Sequence, residues 1–103
     1  MKKIKTVTKS AINQSLMEYK KAVKIDPSSI QAWQKLGWTY YTLKRYNDFL
    51  KVSQKCCSLQ PKNHNNWYQL ATALKRKKKI NDAIVAYRKS IRLDVTGHLK
   101  TDN

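Results

Sequence analysis

The sequence predicts an all-α protein of about two and a half helix–turn–helix repeats, each 34 residues long, with five helices in all. Three observations predict it. The stretches INQS (12–15), YNDF (46–49) and INDA (80–83) each begin 34 residues after the last, and each opens a run of apolar and basic residues. Pro27 and Pro61, Trp33 and Trp67, and Leu36 and Leu70 keep the same spacing. Between these marks the apolar residues recur at i, i+3, i+4 and i+7, the period of a helix with one buried face. Glycine and proline number only two each, too few for a protein built of tight β-turns.

The first helix is expected near 11–25, carrying Leu16, Tyr19, Ala22 and Ile25 on one side. Asp26–Pro27 should end it, because proline disfavours helix in the residue before it. A second helix near 29–43 carries Trp33, Leu36, Gly37 and Tyr40. A third, near 46–59, places Phe49, Leu50, Ser53, Cys56 and Leu59 in register with the first and stops at Gln60–Pro61. The fourth, near 63–76, repeats the second with Trp67, Leu70, Ala71 and Leu74. The fifth, near 80–93, repeats the third with Ala83, Ile84, Tyr87, Ser90 and Leu93, and Val95 takes the proline position. Asn47–Asp48 and Asn81–Asp82 suit the cap and the positive dipole end of the third and fifth helices.

The pattern W-x-x-L-G-x-x-Y at 33–40, followed by Tyr46, Cys56 and Pro61, resembles the tetratricopeptide repeat (TPR) family. W-x-x-L-A-x-x-L at 67–74, followed by Ala83, Tyr87 and Ser90, resembles it again, so the likeness covers roughly residues 11–97. It implies a single domain: the second helix of a partial repeat (11–29), full repeats 30–63 and 64–97, and a short tail 98–103. It further implies antiparallel helix pairs stacked into a right-handed superhelix, each unit burying its face against the next.

Some positions depart from the family. Phe49 stands where Ser15 and Ala83 are small, and Ser53 where Tyr19 and Tyr87 are aromatic, so bulk has moved one helical turn. Gly37 is expected to face Phe49 and give it room. Lys44 and Lys78 stand where the family has a turn glycine, at a cost of about 1 kcal/mol each if the backbone there is left-handed. The first helix lacks its partner and the tail is short. The ends are therefore either part of a longer array or covered by another chain, and self-association through them is one outcome.

Catalysis is not expected. His64 and His98 form no metal-ligand or triad spacing, six acids leave little for acid–base work, and two isolated glycines make no phosphate loop. No cofactor or metal is predicted. Adjacent Cys56 and Cys57 read as reduced thiols on a helix. No apolar run reaches the ~18 residues of a membrane span, and no apolar stretch follows the basic opening MKKIKTVTKS. These features point to a soluble, cytoplasmic protein in a reducing compartment.

Two surfaces are candidates for binding. The resemblance implies that the first helices of each pair line a concave groove that holds a peptide or protein partner. On the second helix that groove would present Gln31, Gln34, Lys35, Trp38, Tyr41 and Thr42. On the fourth it would present Asn65, Tyr68, Gln69, Thr72 and Lys75. Aromatics anchor, amides bond peptide backbone, and the lysines would favour an acidic partner. Residues 34, 38 and 69 do not carry the lysine and asparagines with which some relatives clamp a chaperone tail, so that specificity is not expected.

The second surface follows from a formal charge of +16. Lys20, Lys21 and Lys24, then Lys51 and Lys55, then Arg88, Lys89 and Arg92 form a stripe along the convex helices. More cations crowd the turns at Lys44–Arg45 and at LKRKKKI (74–80), where Lys75–Lys79 also fits a nuclear address. The alternative function is therefore weak, sequence-indifferent RNA binding through this stripe.

Overall fold

A computed structural model describes residues 8–101; residues 1–7 and 102–103 lie outside that range. Five helices follow one another: α1 (Lys9–Ile25), α2 (Ile30–Thr42), α3 (Tyr46–Leu59), α4 (His64–Arg76) and α5 (Ile80–Thr101). The described residues contain no strand. Each helix packs chiefly on its neighbours in the chain, α1 on α2, α2 on α3, α3 on α4 and α4 on α5. This is the one-dimensional packing of a repeat stack.

Local chemistry sets the helix ends. Thr8, Ser29 and Asn63 cap α1, α2 and α4, each side chain accepting a bond from a first-turn N–H. At the other ends, Asp26 (ψ 87) and Gln60 (ψ 80) leave helical backbone before Pro27 and Pro61. α2 and α4 stop differently. Lys44 N–H donates to Tyr41 O and Arg45 N–H to Tyr40 O; Lys78 and Lys79 do the same toward Lys75 and Leu74. These are two Schellman turns in register, and they require left-handed backbone at Lys44 (φ 61) and Lys78 (φ 63).

Both lysines therefore carry the cost expected of a side chain in that region. Lys44→Gly and Lys78→Gly should each raise stability by up to about 1 kcal/mol, less what glycine adds to the freedom of the unfolded chain. A urea midpoint that falls in either variant would contradict this.

The sequence reading misplaced one kind of cap. Asn47 does not cap α3. The residue before the helix is Arg45, which makes no side-chain cap bond. Arg45 closes the Schellman turn and begins α3 at once, so no position remains for a small polar cap. Asp48 does serve the first turn, paired with Arg45 at 2.8 Å.

The fifth helix also differs. It does not end near 93 but runs to Thr101, so residues 98–101 belong to it rather than to a tail. The reason is Val95, which occupies the place where Pro27 and Pro61 stop the earlier helices.

The core runs between the helices as Leu16, Val23, Leu36, Tyr40, Phe49, Val52, Cys56 and Ala73. Phe49 is fully buried under Trp38 and Tyr41, at ring-centroid distances of 5.1 and 5.2 Å. The space beside Gly37 is filled mainly by others. A Cβ there would collide with Gln69 Nε2 and lie 3.2 Å from Val52 Cγ1. The glycine thus admits the neighbouring repeat. Buried Ser53 Oγ and Gln69 Nε2 both lack a hydrogen-bond partner, and nothing in the structure explains the Ser53 hydroxyl.

One clip recurs in both repeats. Trp33 Nε1 donates to Pro27 O at 2.8 Å, and Trp67 Nε1 to Pro61 O at 2.7 Å. On the other side Lys55 lies over the Trp33 ring and Lys89 over the Trp67 ring, each at 5.6 Å. Each tryptophan thus ties the turn before its helix to the helix after it.

Candidate functional site: the aromatic face of the second and fourth helices

The first helix of each pair carries aromatic residues beyond its core face. Trp38 lies at the centre. Its ring meets Tyr41 edge-on at 5.4 Å and Tyr68 of α4 at 6.4 Å, and Tyr68 meets Tyr87 of α5 at 5.9 Å. Tyr41, Trp38, Tyr68 and Tyr87 therefore form a continuous run of rings across three helices. Tyr68 is 51 % exposed, and Trp38 is half-buried with an open edge.

A hollow lies on each side of Trp38. Toward α1 it is about 500 Å³, mostly apolar, and lined by Ile12, Tyr19, Lys35, Trp38 and Thr42 among others. Toward α4 it is about 310 Å³, lined by Gln34, Lys35, Trp38, Asn65, Tyr68 and Gln69. Lys35 is exposed and borders both. An apolar slot beside a polar one, with a cation between, can hold an anchor side chain and an acidic neighbour.

The predicted groove residues differ in how free they are. Gln31, Lys35, Asn65, Tyr68 and Lys75 are exposed, as is Thr42 despite its bond within the helix. Others are committed within the fold. Gln69 is 1 % exposed and lies under the surface against Gly37. Gln34 Nε2 donates to Asn66 Oδ1 at 2.7 Å. The Thr42 and Thr72 hydroxyls donate to Trp38 O and Tyr68 O in their own helices.

Tyr41 is committed as well. Its hydroxyl accepts from Arg76 Nη2 at 3.0 Å, while the guanidinium lies 5.4 Å from its ring and 5.8 Å from that of Tyr46. That bond to Tyr41 is the main reason the Arg76 pKa rises. Arg76 thus closes one end of the aromatic run, a role its place in a basic cluster did not suggest.

Asn66 also went unread. It is fully buried; its Nδ2 donates to Cys56 O and Gln60 O, both at 3.1 Å, and its Oδ1 accepts from Gln34. The available signal was a polar residue in register with Ala32.

Among the basic stripe, Lys20, Lys21, Lys24, Lys51, Arg88 and Arg92 are exposed. Lys55 and Lys89 extend over the two tryptophans, which shortens their reach toward a phosphate. Both thiols are free and buried in the fold. Burial pushes Cys56 up to about 12, with Cys57 adding to it, and pushes Cys57 up to about 11. The described residues hold no group of three or more metal-ligating side chains, and no described helix is long and apolar enough to cross a membrane.

Two family models, each described as tetratricopeptide repeat, match residues 18–48 and 64–94, together more than half of the chain. No curated protein matches it. Several solved structures share the fold. A chain titled "Crystal structure of MamA" is 28 % identical with a TM-score of 0.78; the match covers 84 % of this chain and 51 % of that one. MamA of MSR-1 and MamA of AMB-1 are each 15 % identical with a TM-score of 0.79; those matches cover 84 % of this chain and 49 % and 52 % of theirs. The chain thus spans about half the length of these structures.

Proposed function

This chain belongs to the tetratricopeptide repeat family, and we propose that it is a protein-interaction scaffold that recruits a peptide or protein partner through the aromatic face of α2 and α4. The partner presents an apolar anchor beside an acidic group, and the module does no chemistry of its own. The observation that carries this reading is Trp38 flanked by an apolar and a polar hollow, with Lys35 bordering both. The two buried thiols suit a reducing, cytoplasmic setting.

The test begins with peptides selected on the immobilised protein from a random displayed library. Trp38→Ala and Tyr68→Ala should each weaken a selected peptide at least ~10-fold, the range of an aromatic anchor. Far-UV circular dichroism and the thermal midpoint should stay close to wild type for Tyr68→Ala, whose ring is half exposed. Lys35→Glu should select against acidic peptides. Undiminished binding by both aromatic variants would end this reading.

The RNA alternative has less support, since Lys55 and Lys89 are drawn onto tryptophans. It predicts weak single-stranded RNA binding that falls steeply as salt rises from about 50 to about 200 mM, as phosphate contacts do. Charge reversal at Lys20, Lys55 and Lys89 would abolish such binding.

A further inference from the structure

The two ends of the stack differ in chemistry. In α1, Ile12, Leu16 and Val23 face α2, and Leu16 and Val23 are buried there. In α3, one repeat later, Tyr46, Leu50 and Cys57 are buried or half-buried at the corresponding positions beside α4. The third set in this register is Ile80, Ile84 and Ile91 of α5, and no described helix follows to cover it. These isoleucines are 52, 41 and 63 % exposed, and Val95 extends the stripe at 51 %.

The opposite edge of α1 is not the mirror of this. There Glu18 stands exposed where α3 and α5 bury Val52 and Ala86, with Gln14 and Lys21 beside it. The outer edge of α1 thus mixes polar residues with exposed Met17 and Ile25, whereas the outer edge of α5 repeats the positions that receive a helix elsewhere in the stack.

We propose that the Ile80–Ile84–Ile91–Val95 stripe docks an amphipathic helix of another protein whose apolar face is bordered by aspartate and glutamate. The register supplies the first half: these are the positions that α1 and α3 use to receive a helix. The acidic border follows from charge. Arg88 and Arg92 lie along one side of the stripe, both exposed, and among the described residues neither pairs with an acid. A second copy would bring two such edges and two +16 chains together, which disfavours self-pairing through this face. α5 also runs through position 95, past the places where α1 and α3 end. The stripe spans 16 residues, about 22 Å of helix, and matches a partner of about four turns.

The probe is a synthetic acetylated helical peptide of about 16 residues with leucine at i, i+4, i+7 and i+11 and glutamate on the border that meets Arg88 and Arg92. A matched peptide carries lysine in place of glutamate. The wild-type protein should bind the glutamate peptide at least tenfold more tightly than the lysine peptide by fluorescence anisotropy. Ile84→Asp with Ile91→Asp should remove that binding, with the thermal midpoint unchanged because both side chains face solvent. Arg88→Glu with Arg92→Glu should invert the preference. Tyr68→Ala should leave it intact, which separates this site from the aromatic face. Equal or absent binding of the two peptides overturns the proposal. So would a wild-type dimer in sedimentation that becomes monomeric on Ile84→Asp, because the occupant would then be a second copy.

Discussion

Gly37→Ala is expected to destabilise this protein, although alanine is the better helix former by about 1 kcal/mol. The added methyl meets Gln69 Nε2, with Val52 close behind, and Gln69 is too well buried to move aside. We expect a net loss of about 1–3 kcal/mol in urea unfolding, as for other overpacked cores, and a larger loss for Gly37→Leu. Removing the obstacle should reverse the sign. In a Gln69→Ala background, Gly37→Ala should be neutral or stabilising by up to about 1 kcal/mol, a coupling that a double-mutant cycle measures directly. A stabilising Gly37→Ala in the otherwise wild-type chain would show that Gln69 is not fixed where the structure places it. The same comparison explains why the next repeat can carry Ala71 at this position: no following first helix presses on it among the described residues.

Asn66→Ala should cost about 2–4 kcal/mol, the scale of orphaning several buried polar groups at once. Its amide satisfies the carbonyls of Cys56 and Gln60 at the end of α3, and its oxygen holds Gln34 of α2. One side chain therefore joins three helices at the point where one repeat meets the next. Asn66→Asp separates hydrogen bonding from volume. It keeps the shape, removes both donors and puts a charge against two carbonyl oxygens, so it should be at least as damaging as alanine. An aspartate variant with near wild-type chemical-denaturation stability would show that the space filled, not the bonds, is what counts.

The helices were legible because a repeated physical demand leaves a repeated mark. Trp33 and Trp67 stand at equal places and make equal bonds, and Pro27 and Pro61 stop their helices in the same way. The left-handed turns could be read from Lys44 and Lys78 once their positions were matched to a glycine. The readings that changed concern residues whose surroundings do not repeat. Gln69 aligns with exposed Lys35, yet it is buried, because α4 has a first helix before it and α2 has none among the described residues. Gly37 was paired with its own hairpin partner Phe49, but its nearest atoms come from Gln69 and Val52, one of them in the following repeat. Asn66 offered only the signal of a polar residue in register with Ala32, and its bonds run to carbonyls that no sequence pattern displays. Of the candidate face, the aromatic anchors were legible from type and spacing. The partition between exposed and committed polar residues needed the packing of neighbouring repeats.

The tryptophan clips also divide the molecule's own fluorescence into two reporters. Of three tryptophans, Trp33 and Trp67 share one environment, an indole N–H on a proline carbonyl beneath a lysine, and they report on the turns that join the repeats. Trp38 alone stands between the two hollows of the aromatic face. A partner settling there would change the emission of one indole in three and leave the other two as an internal reference, so occupancy of the face can be followed without a label.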